Sequence, residues 1–146
     1  MPVIKDFFEG PPKQRVTLKN IDREPGWTYR EFVQATKRQA TLGKHWLDWP
    51  GATVSFDVQT VGYKDKPLEA TGWVSRAGSG ERVKDLWGIV TTDGVVANTE
   101  DDSETAAIWL PTPPHKGKYR VTVAIYDQGG SRLSQLNGKP FTVRAH

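Results

Sequence analysis

The feature that most constrains this chain is a strict two-residue alternation over Lys118-Tyr119-Arg120-Val121-Thr122-Val123-Ala124-Ile125-Tyr126-Asp127. Tyr119, Val121, Val123 and Ile125 fall on one side of an extended backbone. Lys118, Arg120, Thr122 and Ala124 fall on the other. Period two is the signature of a strand with one face in a core and the other in water. A chain carrying such a segment needs further strands to cover its apolar face, so the expectation is a mainly β fold.

Other segments repeat the pattern. Val54, Phe56 and Val58 alternate with Ser55, Asp57 and Gln59. Strands are also expected over Gln14–Lys19, over Leu68–Arg76 with Trp73, and over Arg82–Thr92 with Leu86 and Trp87. More follow: a short one starting at Val95-Val96, another over Thr105–Leu110 and, after the turn at Gln128-Gly129-Gly130, two short runs ending in Phe141-Thr142-Val143. The chain has 14 Gly and 10 Pro, which supply the many turns that short strands require. Asp22–Gly26 reads as a turn-rich break. Asn98–Glu104 reads as a polar, acidic loop between strands. Thr28-Tyr29-Arg30-Glu31 has the spacing of a capping box, a hydroxyl followed three residues later by a carboxylate. Phe32, Val33, Thr36 and Ala40 then recur at roughly helical spacing, so a short helix is expected near 29–37, with a strand as the competing reading.

The 146 residues fit one domain. We expect an N-terminal arm at 1–13, where Gly10-Pro11-Pro12 is unsuited to a sheet centre, and a single sandwich over 14–146. The opening residues lack the cationic start and apolar run of a signal peptide. No apolar stretch is long enough to span a bilayer, so no membrane insertion is expected. There are no cysteines, which removes thiolate chemistry, disulfides and Cys-based metal sites. The net charge of +3 is too small to argue for nucleic acid.

The closing segments carry a resemblance. Tyr119-Arg120-Val121, then Asp127-Gln128-Gly129-Gly130 and Phe141-Thr142-Val143, with Phe56 or Val58 and Trp73 upstream, resemble an immunoglobulin-like sandwich of the bacterial extracellular type from about residue 52 to 144. The resemblance implies an antiparallel β-sandwich of seven to eight strands with the short N-terminal helix as an elaboration. It places Tyr119 in the tyrosine-corner position and Val121 where antibody domains carry a cysteine. It places Trp73 on the third strand, packed on the core. It implies adhesion, spacing or partner binding, an extracytoplasmic setting if the chain is a mature or excised domain, and no particular ligand.

Four groups of residues are candidate sites. Trp46 and Trp49, with His45 and Asp48, form the densest aromatic cluster and would suit a sugar platform; the plainer expectation is that both indoles plug one end of the sandwich. Lys118, Arg120, Tyr126 and Arg132 would share one exposed sheet face, able to meet a partner by charge and stacking, or simply solvated. Glu100, Asp101, Asp102 and Glu104 are a weak calcium candidate without calcium-loop spacing, more plainly a solvated loop. His45 and Asp48 are close enough for an acid–base pair, but no nucleophile, phosphate-loop or metalloprotease motif accompanies them. The expectation is a non-catalytic module without a cofactor. It would bind a protein partner through the end loops 44–51 and 98–104; the alternative is a carbohydrate-binding module that takes a polysaccharide on Trp46 and Trp49.

Overall fold

The computed structural model describes residues 13–86 and 89–144. The expected arm therefore lies outside the described residues apart from Lys13, as does Trp87. The elements are β1 (Arg15–Thr28), α1 (Tyr29–Thr36), β2 (Pro50–Val61), β3 (Pro67–Arg76), β4 (Asp93–Val96), β5 (Asp101–Pro111), β6 (Gly117–Tyr126), β7 (Arg132–Asn137) and β8 (Phe141–Val143). Single 3₁₀ turns occur at Lys44–Trp46 and Lys84–Leu86.

Two antiparallel sheets form the molecule. One has three strands in the order β1-β2-β5; the other has five, ordered β4-β3-β6-β7 with β8 also on β6. β7 pairs with Thr122–Tyr126 of β6 and β8 with Gly117–Tyr119. They act as one strand interrupted at Gly138-Lys139-Pro140. Pro140 has no N–H to donate, while Gly138 keeps contact through its N–H to the Val121 carbonyl at 2.7 Å. The alternating residues meet between the sheets as expected. Val54, Phe56, Val58, Ala106, Ile108 and Leu110 come from one side, and Leu68, Ala70, Val74, Tyr119, Val121, Val123 and Ile125 from the other, all buried. Burial of such side chains, at about 1.5–3 kcal/mol each, is the main term favouring the fold. The Tyr119 hydroxyl donates to the His115 carbonyl, four residues upstream, at 2.8 Å.

The core extends to the outer face of the three-stranded sheet, where α1 packs. The capping box at Thr28 and Glu31 is present, and α1 ends at Lys37, whose φ of 55° is left-handed. Tyr29 and Phe32 are buried there, with the Tyr29 ring 5.2 Å from that of Trp109. The indole N–H of Trp109 donates to the Trp27 carbonyl at 2.8 Å. Gly51 lies under this ring, and a Cβ at Gly51 would sit 2.4 Å from the indole, so only glycine fits.

Several expectations are corrected. Asp22–Gly26 is not a break: β1 runs through it, absorbing extra residues as register shifts between Lys19 and Asp22 and between Pro25 and Trp27. The acidic run is not a loop, because β5 starts at Asp101 and pairs with Val61. The described residues of 82–92 do not form a strand. Their buried apolar members Val83, Leu86 and Ile89 recur every three positions rather than every two, and a 3₁₀ turn forms at Lys84–Leu86. Trp73 faces away from the core. Gly72 and Val74 hold the inward positions, and a Cβ on Gly72 would meet Ile108 Cδ1 at 2.7 Å.

Candidate binding cleft

The outward position of Trp73 creates the most developed concavity. Trp73 stands on the outer face of β3 in the same row as Thr71 and Glu69. Arg82 crosses it, with the guanidinium carbon 3.9 Å from the ring centroid. The backbone holds Arg82 in place: Val83 N–H donates to the Val74 carbonyl at 3.0 Å and Arg76 N–H to the Glu81 carbonyl at 2.8 Å. Cation–π contact of this kind contributes about 0.5–2 kcal/mol.

Residues 83–86 and 89–92 then cover the open side of the sandwich. Their anchor is Thr91, which is buried. The Thr71 hydroxyl donates to the Thr91 carbonyl at 3.1 Å. The Thr91 hydroxyl donates to the Trp109 carbonyl and accepts the Trp109 N–H, the latter at 2.9 Å. Val90, beside this anchor, is 45% exposed despite being apolar.

Between these residues and β3 lie two adjoining chambers. The inner one, about 290 Å³, is lined by Val74, Val83, Leu86, Ile89, Leu110 and Pro111. The outer one, about 510 Å³, is lined by Glu69, Thr71, Thr92, Tyr126, Asp127 and Gln128 among others. Gly72, Trp73, Arg82 and Val90 belong to both and form the neck. Both chambers are lined mainly by apolar surface, with Glu69, Thr71, Thr92, Asp127 and Gln128 as polar groups of the outer one, the mouth. A mainly apolar concavity with a few polar groups is the usual form of a ligand site. The far wall of the mouth is the β6–β7 turn, fixed by Ser131 N–H donating to Asp127 Oδ1 at 2.9 Å. Glu69 and Asp127 form no ion pair among the described residues.

The residues singled out from sequence are placed as follows. Tyr126 lines the outer chamber. Arg132 lies opposite Tyr126 in the ladder. Arg120 is half-buried and its Nε lacks a partner, while Lys118 is exposed. Lys118 and Tyr126 are eight positions apart on β6, roughly 26 Å, so the four do not form one patch. Between them Thr122 and Ala124 are buried rather than solvated, because Trp73 and Asn137 flank Thr122 in the ladder.

Trp46 and Trp49 are half-buried against the core. Their rings meet 4.8 Å apart at 61°, so they share no flat plane. His45 is exposed and lies 4.8 Å from Trp46 between ring centroids. Asp48 is 3.0 Å from Arg30, whose hydrogen bond and then charge hold the carboxyl below the usual carboxylate range. That pair ties α1 to the 44–49 segment.

The acidic run is divided by strand alternation. Asp102 and Glu104 point to one side of β5 and Asp101 to the other. Asp102 accepts the backbone N–H groups of Asn98 and Ser103, both at 2.8 Å. Glu100 precedes the strand and is exposed. Among the described residues, no three His, Asp or Glu side chains are grouped to hold a metal ion.

Sequence reasoning missed Trp73, Arg82 and Val90 as a unit. The spacing of Val83, Leu86 and Ile89 was the available signal that this segment covers a core rather than joining a sheet.

No family model matches the chain, and no curated protein sequence matches it. Among solved structures it is similar to a Northeast Structural Genomics Consortium target determined by X-ray, at 16% identity and a TM-score of 0.25, covering 90% of this chain and 86% of that one. It is also similar to the crystal structure of a protein titled putative ApaA from Bordetella pertussis, at 9% identity and a TM-score of 0.31, covering 89% and 93%. At those TM-scores neither likeness bears on fold or function.

Proposed function

We propose that the chain is a non-catalytic recognition module built on an immunoglobulin-like sandwich, and that it takes a protein partner in the cleft beside Trp73. Two features support the immunoglobulin-like reading. The strand order sets β1-β2-β5 against β4-β3-β6-β7, with β4 on the β3 edge. The Tyr119 hydroxyl reaches back to His115 in the manner of a tyrosine corner. The observation that carries the binding reading is a mainly apolar concavity with a few polar groups at its outer end, set on a sheet. The walls come from connecting residues 82–86, 89–92 and 127–130, held by the sandwich in the way that binding loops are displayed on a scaffold. This moves the proposed contact from the 44–51 and 98–104 segments to the side of the sandwich. The carbohydrate reading has less support, because the Trp46 and Trp49 rings stand at 61° to each other.

The test is a photo-crosslinking amino acid placed at Val90 and, as a control, at Lys19 on β1, in the cells that make the protein. The expected result is a discrete protein adduct from position 90 and none from position 19. Equal adducts from both positions, or none from position 90, would sink the proposal.

A further inference from the structure

Resting on that reading, we infer that the partner segment entering the cleft is an extended stretch carrying an apolar anchor with a Lys or Arg three to five residues away. The anchor fills the inner chamber and the cation meets Glu69 and Asp127. Three observations lead there. The inner chamber is lined by Val, Leu, Ile and Pro side chains, with Arg82 and Trp73 only at its neck, so it accepts an apolar group and disfavours a charged one. The aromatic face that would otherwise attract a cation is already covered by Arg82 at 3.9 Å. A cationic group from the partner must therefore go elsewhere. The available carboxylates are Glu69 and Asp127 in the outer chamber, neither in an ion pair among the described residues.

The spacing follows from the ladder. Trp73 at the neck and Glu69 in the mouth are four residues apart on β3, roughly 13 Å. An extended peptide covers that distance in about four residues. The exposed Val90 on the rim extends the apolar surface by which the anchor enters. An acidic segment would meet like charge from Glu69 and Asp127 in the mouth, two carboxylates against the one guanidinium of Arg82 at the neck, which selects against it.

The experiment is selection of a displayed random twelve-residue peptide library on the wild-type protein, followed by fluorescence polarisation with the enriched peptides. Expected sequences hold an apolar residue with Lys or Arg three to five positions away. Their affinity should fall about tenfold in the Glu69→Gln/Asp127→Asn variant, which keeps an oxygen acceptor for Ser131, and that variant should lose most of the salt dependence. Val90→Glu should abolish binding while its urea midpoint stays near wild type. The inference is overturned by enrichment of acidic or uncharged sequences, by no enrichment, by equal binding to Val90→Glu, or by an unchanged affinity in the double variant. If crosslinking from position 90 persists in any of those cases, the recognition reading stands and only the partner chemistry is wrong. If crosslinking fails as well, both fall.

Discussion

The Arg38 guanidinium and the Asp93 carboxylate, 3.0 Å apart, meet across the free edge of β5 and satisfy both backbone groups of one residue, Ala107. Asp93 accepts the Ala107 N–H at 3.0 Å and Arg38 donates to the Ala107 carbonyl at 2.6 Å. Two residues further along, Thr91 does the same for Trp109. An unpaired strand edge is a template for unwanted pairing. Here side chains from α1's C-terminal flank, from β4 and from the segment before it close the edge.

Asp93→Ala should therefore expose the Ala107 N–H and leave Arg38 without its anion. The expected cost is about 1–3 kcal/mol in urea unfolding, from a part-buried donor left unmet. Light scattering should also show more concentration-dependent association than wild type. An unchanged midpoint together with unchanged scattering would refute the edge-closing role.

Tyr119→Phe keeps the ring and removes only the hydroxyl that reaches His115. We expect a loss of about 0.5–1.5 kcal/mol, the net worth of one such hydrogen bond. A variant as stable as wild type in urea would mean that the hydroxyl contributes nothing.

Gly51→Ala drives a methyl group into the Trp109 indole. Overpacking of this kind costs about 1–3 kcal/mol, and the indole must shift to admit it. Gly78→Ala, with no atom within 4 Å of the added carbon, is the matched control and should be nearly neutral. Thermal unfolding of the pair gives the comparison; equal midpoints would show that the space at Gly51 yields easily.

Glu104 supplies a pH dependence. Burial first, then the charges of Asp102 and Asp93, raise its pKa above the ordinary 4.5, against the Val96 backbone N–H, which favours the charged form. The folded state thus binds its proton more tightly than the unfolded chain. This contribution to stability is complete below pH 4.5 and is lost as pH rises through the raised folded value. Glu31, Asp48 and Asp57 are lowered and act in the opposite sense, gaining stability as pH rises from acid. Urea titrations of wild type and Glu104→Gln between pH 4 and 7 should show the variant losing less, or gaining more, stability as pH rises. Parallel curves would contradict the shift.

The sequence made the central strands legible because burial imposes alternation on them, as Phe56 to Val58 and Tyr119 to Ile125 show. The helix was legible from Thr28 and Glu31, whose reciprocal bonds depend only on local spacing. What could not be read is pairing that local composition opposes. Pro25 and Gly26 look like a turn, yet β1 continues because β2 supplies a partner on its far side. Asp101 to Glu104 look like a loop, yet β2 pairs with them too. The cleft was hidden because it depends on which face Trp73 takes. A one-residue choice of register decides that, and the neighbouring Gly72 settles it by fitting against Ile108 where an indole would not.

Trp109 has one more consequence. It is the single fully buried indole among the described residues, with Tyr29 of α1 5.2 Å away and Trp27 holding its N–H. Docking of α1 is thus coupled to an optical signal already present in the chain. A blue-shifted emission component should fade when the helix lifts and Trp109 meets water, even while the two sheets stay paired. The protein therefore carries an internal gauge of partial unfolding, readable without a label.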